Sequence, residues 1–171
     1  MLTVLRHLLA ILLLPVVVTI GVPSWLLDRF ADIDTRWRAT SALAWPVRGL
    51  GAVLLAAGII LFAWCVVLFA RVGGGTLAPW DPTQRLVAVG PYRYVRNPMI
   101  SGVAAVLSGQ VLLTGSRILA LWLVIFVAIN QAYFLLLEEP GLERRFGESY
   151  REYKARVPRW IPRRPDLREA R

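Results

Sequence analysis

The chain has 171 residues, of which 57% are hydrophobic, and a formal net charge of +9. Its mean hydropathy of +0.55 is well above that of a typical soluble domain, which argues against a soluble globular protein. With one cysteine, Cys65, and one histidine, His7, the chain cannot build a disulfide framework, a cysteine-rich metal site or a Ser-His-Asp triad. No metal is therefore expected.

Four apolar stretches account for the hydropathy: roughly residues 8–27, 44–70, 98–114 and 118–137. Each has about 17 to 27 residues, enough for a helix to cross a hydrocarbon core of about 30 Å. They lack the alternation of barrel strands, and lipid does not tolerate unsatisfied backbone groups. The sequence therefore predicts an all-α polytopic membrane protein with about four transmembrane helices, folded as a single domain over 1–171.

Within that domain, residues 1–70 hold the two N-terminal spans. Residues 71–171 hold a cytoplasmic loop, a helical hairpin and a basic C-terminal tail. If the N-terminus, the loop and the tail lie on one side of the membrane, that side carries fifteen of the twenty Lys and Arg residues. The positive-inside rule then places both termini in the cytoplasm, in a plasma or inner membrane. A basic tail beside a span suits anionic headgroups, so membrane lipids are the expected partners and nucleic acid is not.

The third span begins at Asn97 and Pro98, since Asn is a favoured N-cap and Pro is favoured at the first helical position. Small residues then recur every four positions, at Ser101, Ala105 and Gly109, which predicts a close approach by another helix. The connection 114–116 is long enough only for a tight turn. Spans three and four are therefore antiparallel neighbours.

This antiparallel hairpin returns Glu138 and Glu139 to the side of Arg96. Carboxylates at a helix C-terminus oppose the helix dipole, at a cost of about 0.3–1 kcal/mol each. Two explanations follow: a structural cluster with nearby arginines, or a ligand that needs hydrogen-bond acceptors. Carboxylates can accept from the two hydroxyls of a ribose or face a positive ligand. Arg93 and Arg96 are candidates for holding a substrate carboxylate.

After Pro140 the spacing of Leu142, Phe146, Tyr150, Tyr153 and Val157 predicts an amphipathic helix on the membrane surface. Trp160 is the expected interfacial anchor. Either this tail helix is an anchor alone, or it also covers a site between the loop and span four.

The residues from about Gln84 to Pro162 resemble the isoprenylcysteine carboxyl methyltransferase and phospholipid methyltransferase superfamily. The matching motifs are Gly90-Pro91-Tyr92-Arg93-Tyr94-Val95-Arg96-Asn97-Pro98, Glu138-Glu139, Phe146-Gly147-Glu148-Ser149-Tyr150 and Val157-Pro158. The resemblance implies a membrane methyltransferase that uses S-adenosylmethionine near the cytoplasmic face and takes a lipophilic acceptor from the bilayer. The acceptor would be a prenylcysteine carboxylate, a lipid amine or a similar group.

Carried over by position, the resemblance implies a cofactor pocket formed by Gln84, Arg85, Leu86, Val87, Tyr92, Asn97, Pro98, Met99, Ile100, Glu138 and Glu139. The chain departs from the family pattern where Asn97 and Ile100 replace a His and a Tyr. It also lacks a cation at 131–137, where relatives that act on prenylcysteine carry an arginine, so a carboxylate acceptor has no evident partner there. No residue is assigned as a catalytic base.

Two other functions are compatible with the sequence. An NADPH-dependent membrane reductase of the sterol or enoyl type has a similar C-terminal region, although such chains have more spans before it. A non-catalytic membrane protein of the same fold would tolerate Asn97 and Ile100.

The predicted orientation can be tested with reporter fusions after Arg38 and after Arg171. The charge distribution predicts that the two reporters lie on opposite sides of the membrane. Reporters on the same side would contradict the four-span topology.

Overall fold

The computed structural model describes residues 14–36, 44–68, 71, 86 and 88–163, and every regular element within them is helical. In chain order these elements are a π-helical turn at Val17–Gly21, α1 at Val22–Arg29, α2 at Ala44–Leu68, a 3-10 turn at Gly90–Arg93, α3 at Pro98–Thr114, α4 at Arg117–Tyr133, a second π-helical turn at Phe134–Glu138, α5 at Glu139–Phe146 and α6 at Glu148–Arg156. The predicted all-α class is confirmed.

Within the described residues, two helices are long and apolar enough to cross a membrane: α2, and the continuous helix Arg117–Phe146 that runs through α4, the second π-helical turn and α5. Helix α3 is also apolar and has the bounds that the sequence predicted, Pro98–Thr114. Part of the first predicted span lies outside the described residues, so the count of four spans stays a prediction.

Helices α2 and α3 meet through glycines. A Cβ atom built on Gly58 would lie 2.6 Å from the carbonyl oxygen of Gly102, and one built on Gly109 would lie 2.6 Å from that of Gly51. The two backbones approach this closely because no side chain separates them. The predicted close contact at Gly109 is confirmed.

The contact follows a seven-residue spacing. The buried residues of α2 are Ala44, Gly51, Gly58 and Cys65, all on one face of the helix. On α3 the second glycine of the contact is Gly102, whereas Ser101 and Ala105, which were predicted to extend the stripe, are only half-buried.

A carboxylate from the loop after α1 holds the turn between α3 and α4. Gly115 ends α3 with a φ of 69°, and Ser116 is the N-cap of α4. Asp34 accepts hydrogen bonds from the Ser116 hydroxyl at 2.5 Å and from the backbone N–H groups of Arg117 at 3.0 Å and Ile118 at 3.3 Å. Burial by itself would raise the pKa of Asp34, but these three donors outweigh it and lower the pKa below its ordinary value. Asp34 therefore caps α4 as a carboxylate.

The end of span four differs from the prediction. The helix does not stop at Leu137 but continues through Pro140 to Phe146. Gly147, with a φ of 56°, then divides the predicted single tail helix into α5 and α6. Glycine adopts this backbone conformation without the steric cost that a Cβ atom would add.

The glycine contact generates a stability prediction. Gly58→Ala places a Cβ atom against backbone that cannot move aside, so we expect a loss of about 1–3 kcal/mol in the free energy of unfolding. The matched control is Gly49→Ala on the same helix, where nothing lies within 4 Å of the new Cβ atom. This variant should be neutral or more stable by up to about 1 kcal/mol. Thermal unfolding in detergent measures both, and equal losses for the two variants would refute the packing account.

Candidate functional site

Residues 88–97, named here the site loop, fold against the end of α2. Gly90 has a φ of 58° and opens the 3-10 turn, which directs Tyr92 toward Cys65. Tyr92 is 6% exposed and packs with Leu61, Leu68 and Met99. Burial is the main cause that raises the pKa of Tyr92 above its ordinary value, so its hydroxyl stays protonated at neutral pH.

The site loop is covered by residues 157–163, named here the tail segment, and by α6. Three hydrogen bonds join them: from Arg96 N–H to Pro158 O at 2.9 Å, from Arg163 N–H to Tyr94 O at 3.1 Å, and from the Tyr153 hydroxyl to Tyr92 O at 2.7 Å. The tail segment and α6 are therefore more than a surface anchor, because they contact the site loop directly. That they cover a site between the loop and span four stays a prediction.

The tail segment also reaches the end of α4. Trp160 donates from Nε1 to Gln131 Oε1 at 2.8 Å, and its ring lies 5.7 Å from that of Phe134, which is 2% exposed. Trp160, predicted as an interfacial anchor, thus packs on span four and joins it to the site loop.

Glu139 lies at the centre of these contacts and is 4% exposed. Three cations surround it: Arg96 at 2.9 Å and Arg159 at 2.6 Å from Oε1, and Lys154 at 3.1 Å from Oε2. The hydrogen bonds from Lys154 to Glu143 and Glu139 raise the pKa of that lysine, which therefore stays charged. We call Glu139, Arg96, Lys154 and Arg159 the ion cluster. A buried carboxylate with this many partners is well compensated.

The second π-helical turn explains why Glu139 faces inward. In a regular α-helix, residues five positions apart point about 140° away from each other. In the turn at Phe134–Glu138, the Glu139 N–H instead bonds to Phe134 O, so residues five apart lie nearly above one another. Phe134 and Glu139 are accordingly both buried.

Glu138, the neighbouring carboxylate, is in a different environment. It is half-buried and has no cationic partner among the described residues. It interacts electrostatically with Tyr92, Tyr133 and Tyr150 and with the negative charge of Glu139. Glu138 is therefore a half-buried carboxyl group beside the site loop without a compensating cation in the described part of the chain.

One explanation offered for the two glutamates was a structural cluster with nearby arginines. That explanation fits Glu139, which is paired with its cations, but not Glu138. Arg96 is likewise held in the ion cluster, where its Nη1 donates to Glu139, whereas its buried Nε has no hydrogen-bond partner among the described residues. Its predicted role in holding a substrate carboxylate stays a prediction. Arg93, the second substrate candidate, is exposed.

The other predicted cofactor residues occupy several environments. Asn97 is the N-cap of α3 through its backbone, without a side-chain cap bond, and Pro98 is buried. Met99 packs with Tyr92, whereas Ile100 faces the apolar contact between α3 and α4. Leu86 is half-buried, and Gln84, Arg85 and Val87 lie outside the described residues.

Sequence reasoning did not assign Lys154 and Arg159 to the site. The sequence offered one hint for Arg159, which directly follows the conformationally restricted Pro158 of the Val157-Pro158 motif. That the tail folds back over the loop cannot be deduced from helical spacing alone.

A model of the family described as Phospholipid methyltransferase matches residues 47–149, which include most of α2, the site loop, the α3–α4 hairpin and both glutamates. A Haemophilus influenzae protein described only as uncharacterized is 32% identical over 63 residues, which are 37% of this chain and all of that protein. No solved structure matches the chain. The family match indicates a membrane methyltransferase. The chain belongs to the phospholipid methyltransferase family.

The ion cluster predicts that Glu139 is needed for folding. Glu139→Gln leaves three cations around a neutral side chain, so we expect the free energy of unfolding to fall by about 3–5 kcal/mol. Glu148→Gln, which removes an exposed ion pair with Arg151 in the adjacent helix, should change it by less than about 1 kcal/mol. Thermal or denaturant unfolding in detergent compares them. A normal melting curve for Glu139→Gln would show that the cluster contributes little to stability.

Proposed function

We propose that the chain is an S-adenosylmethionine-dependent methyltransferase that acts on a lipophilic acceptor at the cytoplasmic face of the membrane. The observation that carries this proposal is Glu138, a half-buried carboxylate without a cationic partner in the described part of the chain, placed among tyrosines beside the site loop. The family match supports methyl transfer as the reaction class.

The residues around Glu138 suit this cofactor. S-adenosylmethionine carries a sulfonium, an ammonium and a ribose diol, all of which favour a carboxylate partner. Glu138 supplies that carboxylate, and Tyr92 and Met99 supply a buried wall for an adenosine group. The remaining predicted contacts, at Gln84, Arg85, Leu86, Val87, Asn97, Pro98, Ile100 and Glu139, stay part of the proposal, with Glu139 acting through the ion cluster.

When bound, the cofactor supplies an electrophilic methyl group for in-line displacement by a nucleophile. The protein's contribution is to position the acceptor and to exclude water. The tail segment closes one side of the site loop through its backbone hydrogen bonds and Trp160. Tyr92 and Tyr153 are not bases at neutral pH, because burial is the main cause that raises the pKa of each.

The charges favour an amine over a carboxylate as the acceptor. The cations nearest the glutamates, Arg96, Lys154 and Arg159, are all paired with Glu139, and residues 131–137 include none. Glu138 is the carboxyl group without a cation beside it in the described part of the chain, so it can pair with an amine or another cation but not with a carboxylate. A lipid amine is therefore the proposed acceptor.

The orientation proposal rests on the same cations. The site loop and residues 144–171 together carry twelve of the twenty Lys and Arg residues. This distribution supports a cytoplasmic location for the site and for both termini. Exposed arginines of α5, such as Arg144, are suited to anionic lipid headgroups.

The function is tested by titrating purified protein in detergent with labelled S-adenosylmethionine and, separately, with NADPH. We expect binding of the first and none of the second. Glu138→Gln should weaken S-adenosylmethionine binding by about ten- to a hundredfold, because a hydrogen bond to a charged acceptor contributes about 1.5–3 kcal/mol. Its melting curve without cofactor should be unchanged or slightly improved, since the variant replaces a half-buried carboxyl group that has no cationic partner and lies next to Glu139.

The matched control is Glu152→Gln, an exposed glutamate paired with Arg156 in α6, which should bind the cofactor like the original chain. Binding of NADPH instead would favour the reductase alternative. Binding of neither cofactor would favour a non-catalytic protein of the same fold.

A further inference from the structure

The site loop and the tail segment run side by side in opposite directions. Arg96 N–H donates to Pro158 O at 2.9 Å, and Arg163 N–H donates to Tyr94 O at 3.1 Å, so the later loop residue pairs with the earlier tail residue. Together the two segments carry four arginines and no Asp or Glu residue. Positive charge is therefore concentrated on this pair of segments.

The four arginines divide between two faces of the paired segments. Arg96 and Arg159 point inward: their side chains are 11% and 14% exposed, and both contact Glu139. Arg93 and Arg163 are exposed, and neither has an ion pair in the described part of the chain. Because the backbone of Arg163 bonds to the residue that follows Arg93, these two arginines are neighbours across the pair. Two adjacent guanidinium groups repel each other unless an anion such as a phosphate accepts hydrogen bonds from both.

Exposed apolar side chains accompany these two arginines. Ile161 is 80% exposed and Tyr94 is 45% exposed. An apolar side chain this open to water gains free energy when acyl chains cover it. We name Arg93, Tyr94, Ile161 and Arg163 the arginine face. Its combination of cations with apolar groups is typical of a surface at the membrane–water interface.

The depth of the tail segment places the arginine face at the bilayer surface. Trp160 Nε1 bonds to Gln131, which lies six residues before Leu137, the end of the apolar stretch of span four. Six residues correspond to about 9 Å at the rise of an α-helix. Ile161, the residue after Trp160, is therefore within reach of acyl chains, and the arginines beside it are within reach of headgroups.

We propose that the arginine face binds the headgroup of an anionic phospholipid from the leaflet beside the site. The phosphate accepts hydrogen bonds from Arg93 and Arg163, and Ile161 contacts the acyl chains. Because one arginine belongs to the site loop and the other to the tail segment, the bound lipid holds the tail against the loop. This lipid is distinct from the methyl acceptor, since the arginine face lies on the other side of the paired segments from Glu139.

The first test is a titration of the full chain in dodecyl maltoside with dioctanoyl phosphatidylglycerol, in which native mass spectrometry counts the bound lipid. Arg93→Gln/Arg163→Gln should weaken binding about thirtyfold, the effect of two basic residues at anionic headgroups. The matched control, Arg151→Gln/Arg156→Gln, removes the same charge from exposed positions of α6 that already have glutamate partners, and it should bind like the original chain. Equal affinities of the two double variants would overturn the site, since total charge alone would then decide binding.

Two further ligands identify the source of the phosphate. Dioctanoyl phosphatidylcholine has the same chains and the same phosphate, but its choline group is repelled by the second arginine, so we expect it to bind about fivefold more weakly. Inorganic phosphate has no acyl chains and should not displace phosphatidylglycerol at equal concentration. Equal affinities for the two lipids would refute the charge argument. Displacement of the lipid by inorganic phosphate would show a site for soluble anions instead.

Hydrogen–deuterium exchange tests whether the lipid holds the tail on the loop. Saturating phosphatidylglycerol should slow the exchange of the Arg96 and Arg163 amides, whose N–H groups join the two segments. Arg93→Gln/Arg163→Gln changes exposed side chains and keeps both backbone bonds, so it should fold but show no such slowing. Unchanged exchange in the original chain with lipid bound would overturn the bridging role. No readout requires S-adenosylmethionine, so this proposal and the methyltransferase proposal fail independently.

Discussion

The compensation of one buried charge is the constraint on which the site depends. Glu139 is 4% exposed, and a carboxylate this deeply buried must be paired. Its cations come from three different parts of the chain: Arg96 from the site loop, Lys154 from α6 and Arg159 from the tail segment. The ion pairs of Glu139 therefore hold the site loop and the tail segment together over the end of span four.

The ion cluster also divides the roles of the two glutamates. Glu139 is paired with all three cations, whereas Glu138, close to Tyr92, has no cation beside it in the described part of the chain. Glu139 therefore organises the fold, and Glu138 is the glutamate that the proposed function assigns to a ligand.

Polar groups at the other end of the hairpin are satisfied by side chains from distant parts of the sequence. Asp34 caps α4, and Gln110 and Trp122 bond to carbonyls that Pro23 leaves without a partner. In a bilayer these bonds replace the water that would otherwise solvate the backbone. They attach the first helix to the hairpin. The Gln110 amide oxygen, Oε1, is left without a hydrogen-bond donor among the described residues.

The sequence by itself determined the helical class, the bounds of α3, the antiparallel hairpin and the proximity of Arg96 to the glutamates, because hydrophobic length, the Asn97-Pro98 start and a tight turn are local properties. Only the tertiary structure decided which glutamate is buried, since a π-helical turn of one extra residue changes the direction of every side chain after it. Likewise, Gly102 rather than Ser101 extends the glycine contact, because the partner helix follows a seven-residue spacing instead of a four-residue one. The positions of Lys154 and Arg159 depend on the tail folding back, and that is decided by a buried charge about twenty residues earlier in the chain and not by any local pattern.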